Sequence, residues 1–405
     1  MKRITKTELV FFVIFFLGLV AVFKFNMIAG GTITSPRDLA EGLASPPDAP
    51  QLWSIQDWST VKYRALFRLI VQGTWSLLAA PNDAWSFYVI FVAWSFIFYY
   101  AALVTFYFFL RELNFDSKSS FIGGLLFLIL PPVLLAYKYP IYTREDPLAF
   151  FLVVLGLLAI FRSNLLAICV IALAAALTRE TTLIMPLAFV VAAKQPLWKR
   201  LLVGAVPVAA LIGIRLAWGN TVPDSLNSSI LNFVTPFETI AFLFCAFGAL
   251  WLPYVSNLIQ RWQKADAGNY AWHIIISSAP IVLALVIIST LAISRAREIR
   301  ITYILFPWAI PLALDWFRRN ASYLQSLWAK WSYRIFACGV FGFVALVGIV
   351  ARLTQPDLMR AYLADFVNGY WLVLGAIHLS ITLAIFLPML RSPRYASEIT
   401  KASEV

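Results

Sequence analysis

Apolar runs of about 18–20 residues recur from one end of this chain to the other, each long enough to cross the hydrocarbon of a bilayer as a helix. Backbone polar groups inside hydrocarbon must bond one another, so only helices and closed barrels span it, and uninterrupted runs of this length read as helices. Composition agrees. Of 405 residues, 61% are hydrophobic and 13% charged, more apolar surface than a water-soluble domain can hide. The expected fold is all-α, a polytopic integral membrane protein.

About twelve spans are expected. The first is Leu9–Phe23; the rest fall roughly at 86–110, 119–137, 147–161, 165–177, 182–193, 201–218, 238–258, 272–293, 301–316, 335–351 and 370–390. The first run is long and lacks a small-residue cleavage site, so it reads as a retained anchor. Residues 1–390 form a single transmembrane domain, and 391–405 a polar cytoplasmic tail. Within that domain, 29–84 is a long first outer loop.

With the N-terminus in the cytoplasm, 18 of the 32 Lys and Arg residues fall inside and 13 of the 20 acids fall outside. The sign fits the positive-inside rule. Both termini are then cytoplasmic in a cell membrane, and the extracytoplasmic face carries the mixed charge. The net charge of +12 is therefore read as facing anionic lipid and not nucleic acid.

Several chemistries find no pattern. Cys169, Cys245 and Cys338 lie in apolar runs and read as small packing residues. The two histidines, His273 and His378, are far apart, so no metal site is expected. No glycine-rich phosphate loop, nucleophile elbow or soluble catalytic domain is present in the sequence. No cofactor is expected.

One stretch stands out, 141–183. Thr143-Arg144-Glu145-Asp146-Pro147 opens it, two apolar runs follow, and Thr178-Arg179-Glu180-Thr181 closes the second. If both runs cross, both charged turns emerge on one face. Reading 165–193 as one helix instead would leave Arg179 and Glu180 near mid-bilayer, at about 2.5–3.5 kcal/mol per charge, and would reverse every later loop. Two readings of the first turn stay open. Pro147, Glu145 and Asp146 suit a helix start by themselves; they also suit a site.

A third charged turn, Ser294 to Arg300, falls on the same face and leads to Tyr303. Arg215 lies near the outer end of its span. In the first loop, 58–78 reads as an amphipathic interfacial helix. Trp58, Val61, Ala65, Leu69 and Leu77 lie near one face and Arg64, Arg68 and Gln72 near another. Asp57 stands at its start, as an N-cap or as an inward-facing carboxylate.

These features resemble the C-type (GT-C) polytopic membrane glycosyltransferases over roughly residues 1–316. The matching stretches are Tyr63-Arg64-Ala65-Leu66 after acids in the first loop, Glu145-Asp146-Pro147, the Thr178-Arg179-Glu180 hairpin with Pro186, and Arg297-Glu298-Ile299-Arg300 with Tyr303 and Pro307. The family's early acidic pair is absent; Asp38 and Asp57 stand singly. No large C-terminal outer domain follows.

The resemblance implies transfer of a sugar from a polyprenyl-phosphate donor to an acceptor at the outer face. Asp57, Asp38, Glu145 and Asp146 are the candidate catalytic carboxylates, with Asp57 first as the base that takes the acceptor's proton. Tyr63, Arg64, Arg144, Arg179, Glu180, Arg297, Glu298, Arg300 and Tyr303 are candidate substrate-binding residues, the arginines for the phosphate. A transporter or flippase for a lipid-linked or anionic precursor is the alternative, suggested by the number of spans and the intramembrane charges.

Overall fold

The computed structural model describes residues 5–28, 65–80, 84–137, 145–217, 225–262, 269–354, 356–363, 366 and 369–390. Among them there is no β-strand. Each expected apolar run is a helix or a broken pair of helices. The first stretch gives α1 (Lys6–Ile28), α2 (Ala65–Leu77), α3 (Ala84–Glu112), α4 (Ser117–Ile129) and the short α5 (Pro131–Leu134). Then come α6 (Asp146–Phe161), α7 (Leu165–Thr178), a 3-10 turn (Glu180–Leu183), α8 (Ile184–Ala192) and α9 (Leu197–Ala217). The second half holds α10 (Ser225–Val234), α11 (Pro236–Phe247), α12 (Trp251–Trp262), α13 (Tyr270–Ile293), α14 (Arg300–Tyr303) and α15 (Phe306–Arg319). The last helices are α16 (Ala321–Ala329), α17 (Trp331–Thr354), α18 (Pro356–Leu363) and α19 (Gly369–Leu390).

Among the described residues, seven helices are long and apolar enough to cross a bilayer: Lys6–Asn26, Val89–Glu112, Leu197–Leu216, Pro236–Trp262, Tyr270–Ile293, Trp331–Val350 and Tyr370–Met389. Four further apolar helices, among them Asp146–Phe161 and Leu165–Thr178, are shorter. Leu346, Ile349 and Leu353 on α17, and Ile212 and Leu216 on α9, are exposed. Apolar faces of that extent suit hydrocarbon and not water. Cys338 lies exposed on α17, whereas Cys245 is buried. The packing role read for Cys245 therefore holds, and Cys338 faces outward because its helix does.

Helix ends follow local chemistry. Asp116, Asn164 and Asn269 cap α4, α7 and α13, each side chain accepting from an N–H in the first turn. Prolines open α6, α11 and α15, where the missing N–H has no partner to lose. The break between α11 and α12 falls at Gly248, whose φ of 53° favours glycine. A Cβ there would also strike the His378 ring of α19.

Contacts sort the helix ends into two groups. Asp146 opens α6, and Arg162 follows its last residue, so a 16-residue helix about 24 Å long separates them. Arg162 pairs with Glu112 at the end of α3. The next residue, Leu113, accepts from the Trp272 indole N–H of α13. Arg261 of α12 stacks on Trp272 and pairs with Asp315 of α15. Asp146 and Asp315 therefore mark opposite ends of one bundle. Between them lies an aromatic core. Phe106, Phe127, Phe150, Tyr303 and Phe306 join α3, α4, α6, α14 and α15, with the Phe127 and Phe306 rings 4.8 Å apart.

α2 corresponds to the later part of the expected interfacial helix; residues 58–64 lie outside the described residues. The face that it buries in the protein carries apolar residues other than the stripe expected to meet lipid. Leu69 and Leu77 are exposed, while Phe67 and Val71 pack against Phe91, Phe98, Leu148 and Ala175. Phe67 meets the Phe91 ring edge-on at 5.6 Å. Apolar residues occupy both faces of this helix, and ring packing onto α3 decided between them.

Candidate functional site

The three charged turns meet at the Asp146 end. Asp146 and Glu145 enter at the start of α6, and both are buried. Arg179 enters from the end of α7. Its backbone is extended, φ −165° and ψ 139°, which stops the helix. Thr182 secures the following turn by donating to the Arg179 carbonyl at 2.6 Å. Arg300 enters at the start of α14.

Asp146 holds the cluster together. Its carboxylate pairs with Arg179, and its Oδ2 lies 3.4 Å from Arg300 Nη1. Glu145 lies 3.8 Å from the same Arg179 guanidinium. Glu298 accepts from Arg300 Nη2 at 2.7 Å. Two arginines thus face three carboxylates, mostly out of water. Phe150 lies four residues beyond Asp146 on α6, and Tyr303 three beyond Arg300 on α14, so the aromatic core begins one turn inward. Charges beside such a core interact far more strongly than in water.

A second pair flanks the first. Arg215 of α9 lies 3.6 Å from Glu180, and both are partly exposed. Arg297 is half-buried on the same turn as Glu298. Tyr303 belongs to the core. It is fully buried, and its hydroxyl donates to the Phe127 carbonyl at 2.8 Å. Asp38, Asp57, Tyr63, Arg64 and Arg144 lie outside the described residues.

Asn232 was missed by sequence reasoning, and it positions the third turn. Its Nδ2 donates toward the carbonyls of Thr290, Leu291 and Ser294, and its Oδ1 accepts from the Ala296 N–H at 2.9 Å. Thr239 of α11 closes the group by donating to the Asn232 carbonyl. An asparagine in a short helix gives no sequence signal for this. Glu238 was missed too. It is buried in the first turn of α11, which packs against α14 and α5. Its signal was available: Pro236 and Glu238, like Asp146 and Pro147, place a proline and an acid in the first turn of a helix, though in the opposite order.

Among the described residues, no group of three or more His, Cys, Asp and Glu is arranged to hold a metal ion. The arrangement is an ion-pair network in which two arginines are shared among three carboxylates, with Arg215 and Arg297 at its more exposed edge. No family model, curated protein or solved structure matches the chain.

Proposed function

We propose that this protein is a membrane glycosyltransferase that moves a sugar from a polyprenyl-phosphate donor to an acceptor at the outer face of the cell membrane. The observation that supports this reading is the joining of Asp146, Arg179 and Arg300 from three separate turns at one end of an apolar bundle. Such a donor pairs a charged phosphate with a long apolar tail, and this end offers guanidinium groups at the rim of apolar helices. The arginines take up the charge that develops on the leaving phosphate. A first-loop carboxylate, Asp57 before Asp38, receives the acceptor's proton while its oxygen attacks the anomeric carbon. In this reading about twelve spans cross the bilayer, the shorter apolar helices among them, and both termini lie in the cytoplasm.

Purified protein incubated with polyprenyl-phosphate sugars tests this. Release of free polyprenyl phosphate, abolished by Arg300→Gln in protein that remains folded, is the expected result. No release with any donor overturns it.

One observation favours transport as a second reading. Helices are broken within the bundle at Gly248 and at Arg179, and broken helices build transporter sites. A transporter in vesicles would move the lipid-linked sugar across with its sugar–phosphate bond intact.

A further inference from the structure

At the opposite end, Asp315 is fully buried on α15 and three arginines surround it. Arg261 Nη2 lies 2.7 Å from Oδ2, Arg319 Nε 3.2 Å from Oδ2, and Arg318 Nη2 2.8 Å from Oδ1. Asn257 of α12 ties the group together. Its Nδ2 donates to Oδ2 at 3.1 Å and to the Leu312 carbonyl at 2.6 Å, and its Oδ1 accepts from Arg319. One carboxylate cannot balance three guanidinium groups. Glu112 and Asp116 also reach this end, but Glu112 pairs with Arg162 and Asp116 caps α4. Among the described residues, the triad keeps an excess of two positive charges.

We infer that Arg261, Arg318 and Arg319 form a binding site for a phosphate-bearing anion, supplied by the headgroup of an anionic membrane lipid. The geometry carries this in three ways. First, each guanidinium has five N–H donors in a fixed fork. Asp315 and Asn257 engage the inner ones and Gln260 accepts from Arg319 Nη1 at 3.5 Å, while the side chains remain 25%, 54% and 39% exposed at Arg261, Arg318 and Arg319, so that Arg261 and Arg318 present most of the outward donors. Outward donors on charges already oriented are what a phosphate needs. Second, aromatic rings hold two of the arginines in place. Arg261 lies 4.7 Å from the Trp272 ring centre, and Arg318 lies 5.4 Å from that of Phe115.

Third, the surroundings favour a lipid over a free anion. α16 starts two residues after Arg319 and buries no residue, so it lies on the surface. Trp262, Trp328 and Trp331 are all exposed at this end. Tryptophans so placed sit at headgroup level. The site is separate from the Asp146 cluster, and it stands whichever activity that cluster has.

Native mass spectrometry of the full chain, offered phosphatidylglycerol and phosphatidylcholine in equal amounts, tests the site. Phosphatidylglycerol should bind preferentially, and Arg318→Gln/Arg319→Gln should weaken that binding about tenfold or more while phosphatidylcholine binding is unchanged. Arg318→Lys/Arg319→Lys keeps the charge and loses the fork, so it should fall between. Thermal unfolding of each variant identifies any that fails to fold, and the Lys variant then carries the comparison. Inorganic phosphate is the competing arm. Displacement of the lipid at equal concentration would overturn the headgroup source and leave a free-anion site. Equal binding of the two lipids, or unchanged binding in folded Gln and Lys variants, would overturn the site.

Discussion

Arg300 reaches Asp146 across 154 residues of sequence, with Nη1 3.4 Å from Oδ2. Arg179 meets the same carboxylate from the end of α7. One buried acid thus joins two arginines from distant parts of the chain. Removing it would leave two poorly solvated cations behind. Asp146→Ala should therefore cost about 3–5 kcal/mol. Replacing Glu145, Asp146 and Glu298 together with both arginines by apolar residues of similar size should cost less, because no charge of the cluster is left behind. Denaturant unfolding in detergent measures both.

Asn232 should matter through the turn that it holds. Asn232→Ala removes the acceptor of the Ala296 N–H and the donor to three carbonyls. The expected loss is about 1–3 kcal/mol, from buried groups left unsatisfied. Hydrogen exchange locates it: the Ala296 amide should exchange much faster, while α4 amides keep their protection. Unchanged exchange at Ala296 would remove Asn232 from its positioning role.

The orientation of the bundle has a direct test. The proposed topology puts Thr181 on the outer face. A cysteine introduced there, with exposed Cys338 replaced by serine, should react with a membrane-impermeant reagent applied from outside. Labelling only after permeabilisation would put the Asp146 cluster on the cytoplasmic side and remove the outer-face site.

Asp57 separates a catalytic base from a helix cap. Asparagine serves nearly as well as aspartate at an N-cap but cannot accept the proton. Asp57→Asn should therefore lower sugar transfer about 10²–10⁴-fold with little change in stability. Full activity moves the role to Asp38, Glu145 or Asp146. Full activity in separate amide variants at all four positions rejects the enzyme reading.

Asp116 gives a pH signature outside the spans. The Ser119 side chain and backbone N–H hold its carboxyl below the usual range. A lowered folded-state pKa means stability that is present above the unfolded value and lost as pH falls through the folded one. Asp116→Asn caps nearly as well but cannot titrate, so the stability difference between the two should be constant near neutrality. It should shift against aspartate only as pH falls below the ordinary aspartate range. Denaturant midpoints across that range provide the measurement.

By itself the sequence determined where the apolar helices lie. Length and hydropathy are local properties, and satisfying backbone groups in an apolar medium leaves helices as the outcome. It also marked the charged turns at Glu145–Asp146, Arg179–Glu180 and Arg297–Arg300. Charge is costly inside hydrocarbon, so it gathers at helix ends. Which partners those charges found was decided only in the tertiary structure. Asp146 had several arginines within its possible reach, and the packing of α6, α7 and α14 selected Arg179 and Arg300. Around Asp315 the sequence displayed basic residues as an orientation signal, and only folding set three of them about one buried acid. The same holds for the Asn232 clamp, the Gly248 break against His378, and the face by which α2 packs. Each depends on a neighbour far away in sequence. No local pattern records that neighbour, because helix packing fixes it through shape and not through composition.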